Sequence, residues 1–213
     1  MTRLVVDVAS KRFGALTVLS ELRFEIPGGE RVALLGPSGI GKSTLLSLIA
    51  GTDSVFDGMI TRPKGRIAMV FQTPRLLPWR TLVENIEIIP GAQSARDLLA
   101  SVGLSEAADQ YPEKVSLGMQ RRAALARAMA VQPDLILMDE PLVSLDPASA
   151  FEMRRLLTEM LDRTGAAALI ATHDRREALK LADRVLMLDG PPARLISDRR
   201  SPIDRTAIHR PNR

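Results

Sequence analysis

The chain has 213 residues, which is enough for one large domain that buries roughly 70% of the surface of the unfolded chain. It contains no cysteine, and this excludes disulfides, thiolate metal sites and a cysteine nucleophile. The formal net charge is +4, and residues 194–213, with six arginines and two aspartates, supply all of it (6 − 2 = +4). The balanced remainder lacks the sustained electropositive face that nucleic-acid binding requires, so we expect no nucleic acid partner.

No apolar run approaches the roughly eighteen residues needed to cross a bilayer, and residues 1–8 lack the basic-then-apolar layout of a signal peptide. The sequence therefore predicts a soluble chain, and the lack of cysteine favours a reducing compartment, the cytoplasm. It divides into a predicted domain at residues 1–196 and a basic, flexible tail at residues 197–213.

In chain order, β-structure comes first: residues 22–26 alternate between apolar and polar, and a Pro-Gly-Gly turn leads into a second strand at residues 31–35. Four later apolar runs predict strands at residues 67–71, 135–138, 168–171 and 185–188. Helical spacing predicts helices at residues 44–50, 95–102, 119–130, 148–161 and 175–182. We therefore predict an α/β fold with a parallel sheet, a small N-terminal antiparallel β-subdomain and a helical subdomain inserted at about residues 93–130.

The most specific motif is a glycine-rich loop that follows a predicted strand and precedes a predicted helix. It matches G-x-x-x-x-G-K-[ST], the phosphate-binding loop of P-loop NTPases. The alternative is a glycine-rich turn that binds no ligand, but a lysine at this position would have no packing role in such a turn. The backbone amides of the loop and the helix N-terminus would hold phosphates, its lysine would reach the β- and γ-phosphates of ATP, and its serine would bind Mg²⁺. The predicted nucleotide-binding residues are Gly36, Pro37, Ser38, Gly39, Ile40, Gly41, Lys42, Ser43 and Thr44.

Two carboxylates, Asp139 and Glu140, follow the apolar run at residues 135–138. Acids at the carboxyl end of a parallel strand lie where such sheets bind ligands. Asp139 suits the outer coordination of Mg²⁺, and Glu140 suits the orientation or deprotonation of an attacking water. By themselves such pairs are often ordinary strand-end charges, but beside a phosphate loop they predict hydrolysis of ATP.

The segment VSLGMQRR at residues 115–122 resembles the signature motif of the ABC ATPase family, and the motifs follow the order of that family over nearly the whole chain. The resemblance implies that Ser116 and Gly118 contact the nucleotide of a second copy in a head-to-tail dimer. It also implies that Gln72 senses Mg²⁺ and the attacking water, and that His173 is the switch histidine, although a lone histidine is more often structural. Phe13 stands where the family stacks an aromatic ring on adenine; a core role is the alternative.

Residues 71–81 are similar to the corresponding region of importers for nitrate, sulfonates, taurine and related solutes. The resemblance implies that the chain works at the cytoplasmic face of the membrane with transmembrane permease subunits, and with a solute-binding protein that acts through the permease. In such importers this region forms a groove for a permease helix; alternatively, Leu76, Leu77 and Trp79 simply pack the helical subdomain.

Two positions depart from the family pattern. Leu117 replaces the first glycine of the signature motif and could crowd the neighbouring nucleotide, and Val143 replaces a serine of the loop at the dimer seam. These departures leave open a weakly active, nucleotide-gated assembly module. A further alternative, an ABC ATPase of repair or translation, would usually carry tandem cassettes or coiled-coil insertions, which this sequence lacks.

Overall fold

A computed structural model describes residues 3–91 and 94–201 of the chain. Its larger sheet has six strands in the order β5-β6-β7-β3-β8-β9. The strands are β3 (Arg31–Leu35), β5 (Ile67–Val70), β6 (Leu135–Asp139), β7 (Ala167–Thr172), β8 (Arg184–Asp189) and β9 (Arg194–Arg200). The first five are parallel and agree with the predicted strands to within a residue or two at each end.

Strand β9 pairs antiparallel with β8 and was not predicted. The predicted domain boundary at residue 196 falls inside it, so residues 197–200 form part of the sheet and not of a flexible tail. The backbone pairing is reinforced by Arg184, whose Nη2 lies 2.5 Å from Oδ2 of Asp198. Composition misled the prediction because the strand is an exposed edge with mostly polar side chains. The remainder of the predicted tail, residues 202–213, lies outside the described residues.

The smaller sheet has three antiparallel strands in the order β2-β1-β4, namely β1 (Arg3–Phe13), β2 (Leu16–Pro27) and β4 (Asp57–Thr61). It confirms the predicted antiparallel subdomain, but β1 and β4 were missed and β2 begins six residues before the predicted strand. Alternation in β2 is broken at Glu21, which has a φ of 55°, so that Leu19 and Leu22 are both fully buried three positions apart. A pattern with period two therefore finds only the second half of the strand.

Helices cover both faces of the larger sheet. They are α1 (Lys42–Ala50), α2 (Glu84–Glu87), α3 (Ala95–Ser101), α4 (Leu117–Met129), α5 (Pro147–Thr164) and α6 (Arg175–Leu181). Within β6, Leu135 and Leu137 pack in one core with α1 and the smaller sheet, whereas Ile136 and Met138 pack in the other with α4 and α5. Burial on both faces explains why these strands appear as unbroken apolar runs.

Between β5 and β6 the described residues form only helices, short 3₁₀ turns and loops. This agrees with a helical insertion, although helical structure already begins at α2, before the predicted start. Gln93, where that start was placed, lies outside the described residues, and the subdomain boundary stays a prediction. Within the described part of the chain, no helix has the length and apolar character to span a membrane.

Candidate functional site

The glycine-rich loop connects β3 to α1 and has a backbone that only glycine adopts easily. Gly39 and Gly41 have φ values of 78° and 112°. A Cβ at Gly41 would lie 2.7 Å from Cδ2 of Leu19, so the smaller sheet also excludes any side chain there. The loop therefore curls tightly over the start of α1, as a phosphate cradle requires.

Lys42 begins α1 and is buried inside this loop. Its Nζ donates to the carbonyl oxygens of Gly36 and Pro37, at 2.8 and 2.9 Å, and lies 3.3 Å from Oε1 of Glu140. The ammonium group is thus held at the centre of the loop by two neutral acceptors and one carboxylate. The three N–H donors of the ammonium group therefore all have acceptors, so a phosphate oxygen that binds here replaces one of them.

Glu140 joins the loop to the strand ends opposite it. The residue follows β6 with a φ of 49°, and its N–H donates to the carbonyl of Ala171 on β7 at 2.9 Å. Its Oε2 lies 2.6 Å from Nδ1 of His173, which stands just beyond the end of β7. One buried carboxylate therefore contacts both Lys42 and His173, a lysine and a histidine that are remote from each other in sequence.

Asp139, the last residue of β6, fits a bound cation. It is 7% exposed, and its Oδ1 is buried with no hydrogen-bond partner among the described residues. Burial raises the pKa of this carboxyl group, and a hydrogen bond with Ser43 acts in the opposite direction. No group of three His, Cys, Asp or Glu residues in the described part of the chain could hold a metal, so Ser43 and Asp139 would need phosphate and water oxygens to complete a Mg²⁺ site.

The burial of Asp139 leads to a testable prediction about stability. Because the pKa of Asp139 is raised in the folded state, the unfolded chain ionises first, and the fold loses stability as pH rises from the ordinary aspartate range through the raised pKa. We expect Asp139→Asn to raise the melting temperature at neutral pH by about 2–4 °C, and the gain to shrink towards acid pH. The same variant should bind ATP less well in Mg²⁺ buffer.

Thermal unfolding of wild type and Asp139→Asn across about pH 4 to 8 measures the first effect, and nucleotide titration measures the second. Asp97→Asn, at an exposed position of α3, is the matched control for loss of one carboxylate. A variant that is less stable than wild type at neutral pH would contradict the burial argument.

A cavity of about 260 Å³ lies between these groups, at the carboxyl ends of the parallel strands. It brings together part of the loop, Glu140, His173 and Gln72, which lies two residues beyond the end of β5. The predicted residues Gly36, Pro37, Ile40 and Asp139 are not among its lining. Its lining residues are Ser38, Gly39, Gly41, Lys42, Ser43, Thr44, Gln72, Glu140, Val143 and His173.

Phe13, Ser116 and Gly118 do not line this cavity. Phe13 is 53% exposed at the end of β1, and Nζ of Lys11 lies 4.5 Å from its ring centroid. The exposed ring excludes the core alternative. Ser116 caps α4, because its Oγ accepts a hydrogen bond from the N–H of Met119 at 3.2 Å, and both Ser116 and Leu117 are exposed. That position agrees with a role outside this copy's own cavity.

Sequence reasoning missed the residues that hold the His173 turn. The Thr172 hydroxyl donates to Oε2 of Glu177 at 3.2 Å and accepts from the N–H of Asp174 at 3.0 Å. Burial raises the pKa of Glu177, with the Thr172 hydrogen bond opposing it. The turn is thus fixed on both sides of the histidine. No periodic pattern or motif spacing signals such local polar contacts.

A phosphate cradle with a buried lysine, strand-end carboxylates and a parallel sheet covered on both faces define a P-loop nucleotide-binding ATPase. Comparison with known proteins narrows this class. Residues 19–143 match the model of the ABC transporter family.

The aliphatic sulfonates import ATP-binding protein SsuB 2 of Burkholderia cenocepacia is 42% identical over 200 residues, which cover 88% of this chain and 74% of that protein. The aliphatic sulfonates import ATP-binding protein SsuB of Mycobacterium sp. (strain MCS) is 45% identical over 212 residues, or 94% of this chain and 85% of that protein. A solved dimeric ATP-binding cassette in a post-hydrolysis state, bound to ADP and Pi, superimposes with a TM-score of 0.79 at 27% identity and covers 94% of this chain and 98% of its own.

The chain therefore belongs to the ABC transporter family. It is an ABC ATPase that binds ATP with Mg²⁺, and the solved cassette that it resembles is a dimer. The predicted fold class, activity and cofactors are confirmed. The comparisons with known proteins support the hypothesis of a transporter subunit. They do not support the two alternatives, an assembly module or an ATPase of repair or translation.

Proposed function

We propose that the chain hydrolyses ATP at the cytoplasmic face of the membrane to drive a solute importer for organic sulfonates. The observation that carries the hydrolytic part is the Glu140 carboxylate, which contacts Lys42 and His173 at the wall of the cavity. The solute class is supported by the relatives, whose names specify aliphatic sulfonates. Such an importer also needs a solute-binding protein that acts through the permease.

In this proposal the loop amides and Lys42 bind the phosphates of ATP, and Phe13 stacks against adenine. Ser43, together with Asp139 and Gln72, would hold Mg²⁺, and the ion would neutralise charge on the β- and γ-phosphates. The buried, unpartnered Oδ1 of Asp139 supports this assignment, because such an oxygen is costly unless a ligand satisfies it.

Glu140 is the proposed general base. Its carboxylate takes the proton of the water that attacks the γ-phosphorus, and the γ-phosphoryl group passes to the water oxygen while ADP leaves. His173 holds the carboxylate in place through its Nδ1, and it is itself fixed by the turn at Thr172 and Asp174. Lys42 stabilises charge on the phosphoryl oxygens in the transition state.

A second copy completes the site, with its Ser116 and Gly118 donating to the γ-phosphate from the start of α4. Ser116 and the neighbouring Leu117 are exposed, which leaves this end of the helix accessible to a partner. ATP then favours the closed dimer because only that state makes both sets of contacts, and hydrolysis removes the γ-phosphate that links the copies.

The proposal is tested with the chain and its permease in liposomes, together with the solute-binding protein. We expect ATPase activity to rise when the binding protein is loaded with a short-chain alkanesulfonate, and to rise much less with nitrate. Stimulation by nitrate alone would contradict the sulfonate assignment, and hydrolysis unaffected by the permease would contradict the transport function.

Leu117 is predicted to be tolerated in the closed dimer. The helix start is intact in its presence, since Ser116 still caps α4, and the leucine side chain is 47% exposed. We expect Leu117→Gly to keep the ATPase rate of wild type or to raise it by up to about threefold, because it removes only a contact that could crowd the neighbouring nucleotide. Steady-state kcat and KM for ATP measure the effect, and a fall of more than about tenfold would show instead that the leucine supports the seam.

A further inference from the structure

The segment from Gln72 to Thr81, which connects β5 to α2, has almost no backbone pairing of its own. Among the described residues its one internal backbone hydrogen bond runs from the N–H of Arg80 to the carbonyl of Leu77, at 3.2 Å. One end of this 72–81 loop lines the nucleotide cavity at Gln72, and near the other end Trp79 is 70% exposed. The shape of the loop must therefore be held by side chains from elsewhere.

Asn85, in α2, is the main side chain that does this. It is fully buried, and its Nδ2 lies 3.1, 3.1 and 2.9 Å from the carbonyl oxygens of Leu77, Arg80 and Thr81, which share its two N–H donors. Its Oδ1 accepts from the N–H of Leu77 at 2.7 Å. The amide therefore contacts the loop backbone through both its nitrogen and its oxygen. No other neutral side chain of this size offers both an N–H donor group and a carbonyl acceptor.

Arg127, in α4, extends this network to the signature helix. Its Nη2 donates to the carbonyl of Pro74 at 3.1 Å, and its Nη1 lies 3.4 Å from Oδ1 of Asn85. Burial lowers the pKa of this guanidinium group, because the cation is poorly solvated there. Its hydrogen-bond partners are neutral oxygens, which do not offset its charge. Because the burial of a cation is energetically unfavourable, packing alone does not explain why an arginine lies at this position.

We propose that Asn85 is a positioning residue which, with Arg127, fixes residues 74–81 in one shape, so that a movement at Gln72 reaches the permease through the surface around Trp79. The occupant of that surface is the permease, and this part rests on the proposed function. Exposed tryptophan suits such a contact, because its large ring buries much area at little entropic cost. A loop without the clamp would absorb the movement locally instead of passing it on.

The test compares Asn85→Asp with wild type in the full chain. Aspartate has the shape of asparagine, but its carboxylate has no N–H to donate to the loop carbonyls. We expect amide hydrogen exchange at Leu77, Arg80 and Thr81, whose N–H groups are hydrogen-bonded, to accelerate by at least about tenfold while residues 36–44 stay protected. The ATPase rate of the chain alone should stay within about twofold of wild type, whereas the increment that the permease adds should fall at least about fivefold.

Two further variants keep the result interpretable. Arg127→Lys retains the charge but cannot span Pro74 and Asn85, and it should give the same pattern even if Asn85→Asp folds poorly. Glu87→Gln changes an exposed carboxylate on the same short helix and should behave as wild type.

Unchanged exchange in the loop would overturn the clamp, and faster exchange with intact stimulation would overturn its role in coupling. An equal loss of ATPase activity in the chain alone would show that Asn85 supports the nucleotide cavity, and this would also overturn the proposal. Failure of the permease to stimulate the wild-type chain is recognised without any variant, and it would refute the proposed function on which the coupling role rests.

Discussion

Glu140→Gln is expected to bind ATP nearly as well as wild type and to hydrolyse it about a thousandfold more slowly. Glutamine keeps the size of the side chain and can still contact His173 and Lys42, which lie 2.6 and 3.3 Å from the carboxylate oxygens. It cannot take a proton from water. The cradle that binds the phosphates stays intact, so the loss should appear in kcat and leave the Kd for ATP within a few-fold of wild type.

The same variant should accumulate a closed dimer when ATP is present, because the contact between copies forms and is not broken by hydrolysis. Size-exclusion chromatography with and without ATP measures this, alongside steady-state hydrolysis. Glu152→Gln is the matched control: its carboxylate is exposed on α5 and pairs with Arg155, so neutralising it should leave the rate unchanged. Turnover by Glu140→Gln within about tenfold of wild type would remove Glu140 from the role of general base.

The buried strands of the larger sheet could be predicted because the burial of each strand is visible in its own run of apolar residues. All five residues of β6 are buried, so the strand is an unbroken apolar run that ends at Asp139. Strands β4 and β9 lie at sheet edges with several exposed or charged side chains, and neither has a hydrophobic pattern of its own. They form strands because a neighbour offers unpaired backbone groups, which is not visible in composition.

The candidate site divides in the same way. The phosphate loop has a fixed spacing that its chemistry dictates, and the acids at 139 and 140 follow from strand order, so both were found before any geometry was known. The contact between Lys42 and Glu140 joins residues far apart in the chain, so it cannot be predicted without the order of the strands in the sheet. Asn85 and Glu177 act through local backbone and hydroxyl groups, and a single polar residue in a helix gives no signal of its partners.

Lys42→Ala should act earlier in the cycle than Glu140→Gln, by weakening ATP binding itself. The ammonium group that the loop carbonyls hold in place is the main positive charge in the cavity, and a charged hydrogen bond of this kind contributes about 1.5–3 kcal/mol. We therefore expect the Kd for ATP to rise by about ten- to a hundredfold and hydrolysis to fall at least as far. The variant also leaves the Glu140 carboxylate buried without its cation, which should lower the melting temperature of the nucleotide-free chain.

Isothermal titration with ATP and Mg²⁺ measures the affinity, and thermal unfolding with and without ATP separates lost binding from lost stability. Wild type should be stabilised by saturating ATP, whereas Lys42→Ala at the same concentration should gain much less, because stabilisation depends on the ratio of ligand concentration to Kd. Lys64→Ala, at an exposed position away from the cavity, controls for the loss of one lysine. If Lys42→Ala kept both wild-type affinity and wild-type turnover, the loop would bind phosphate through its amides alone, and the burial of this lysine would need another explanation.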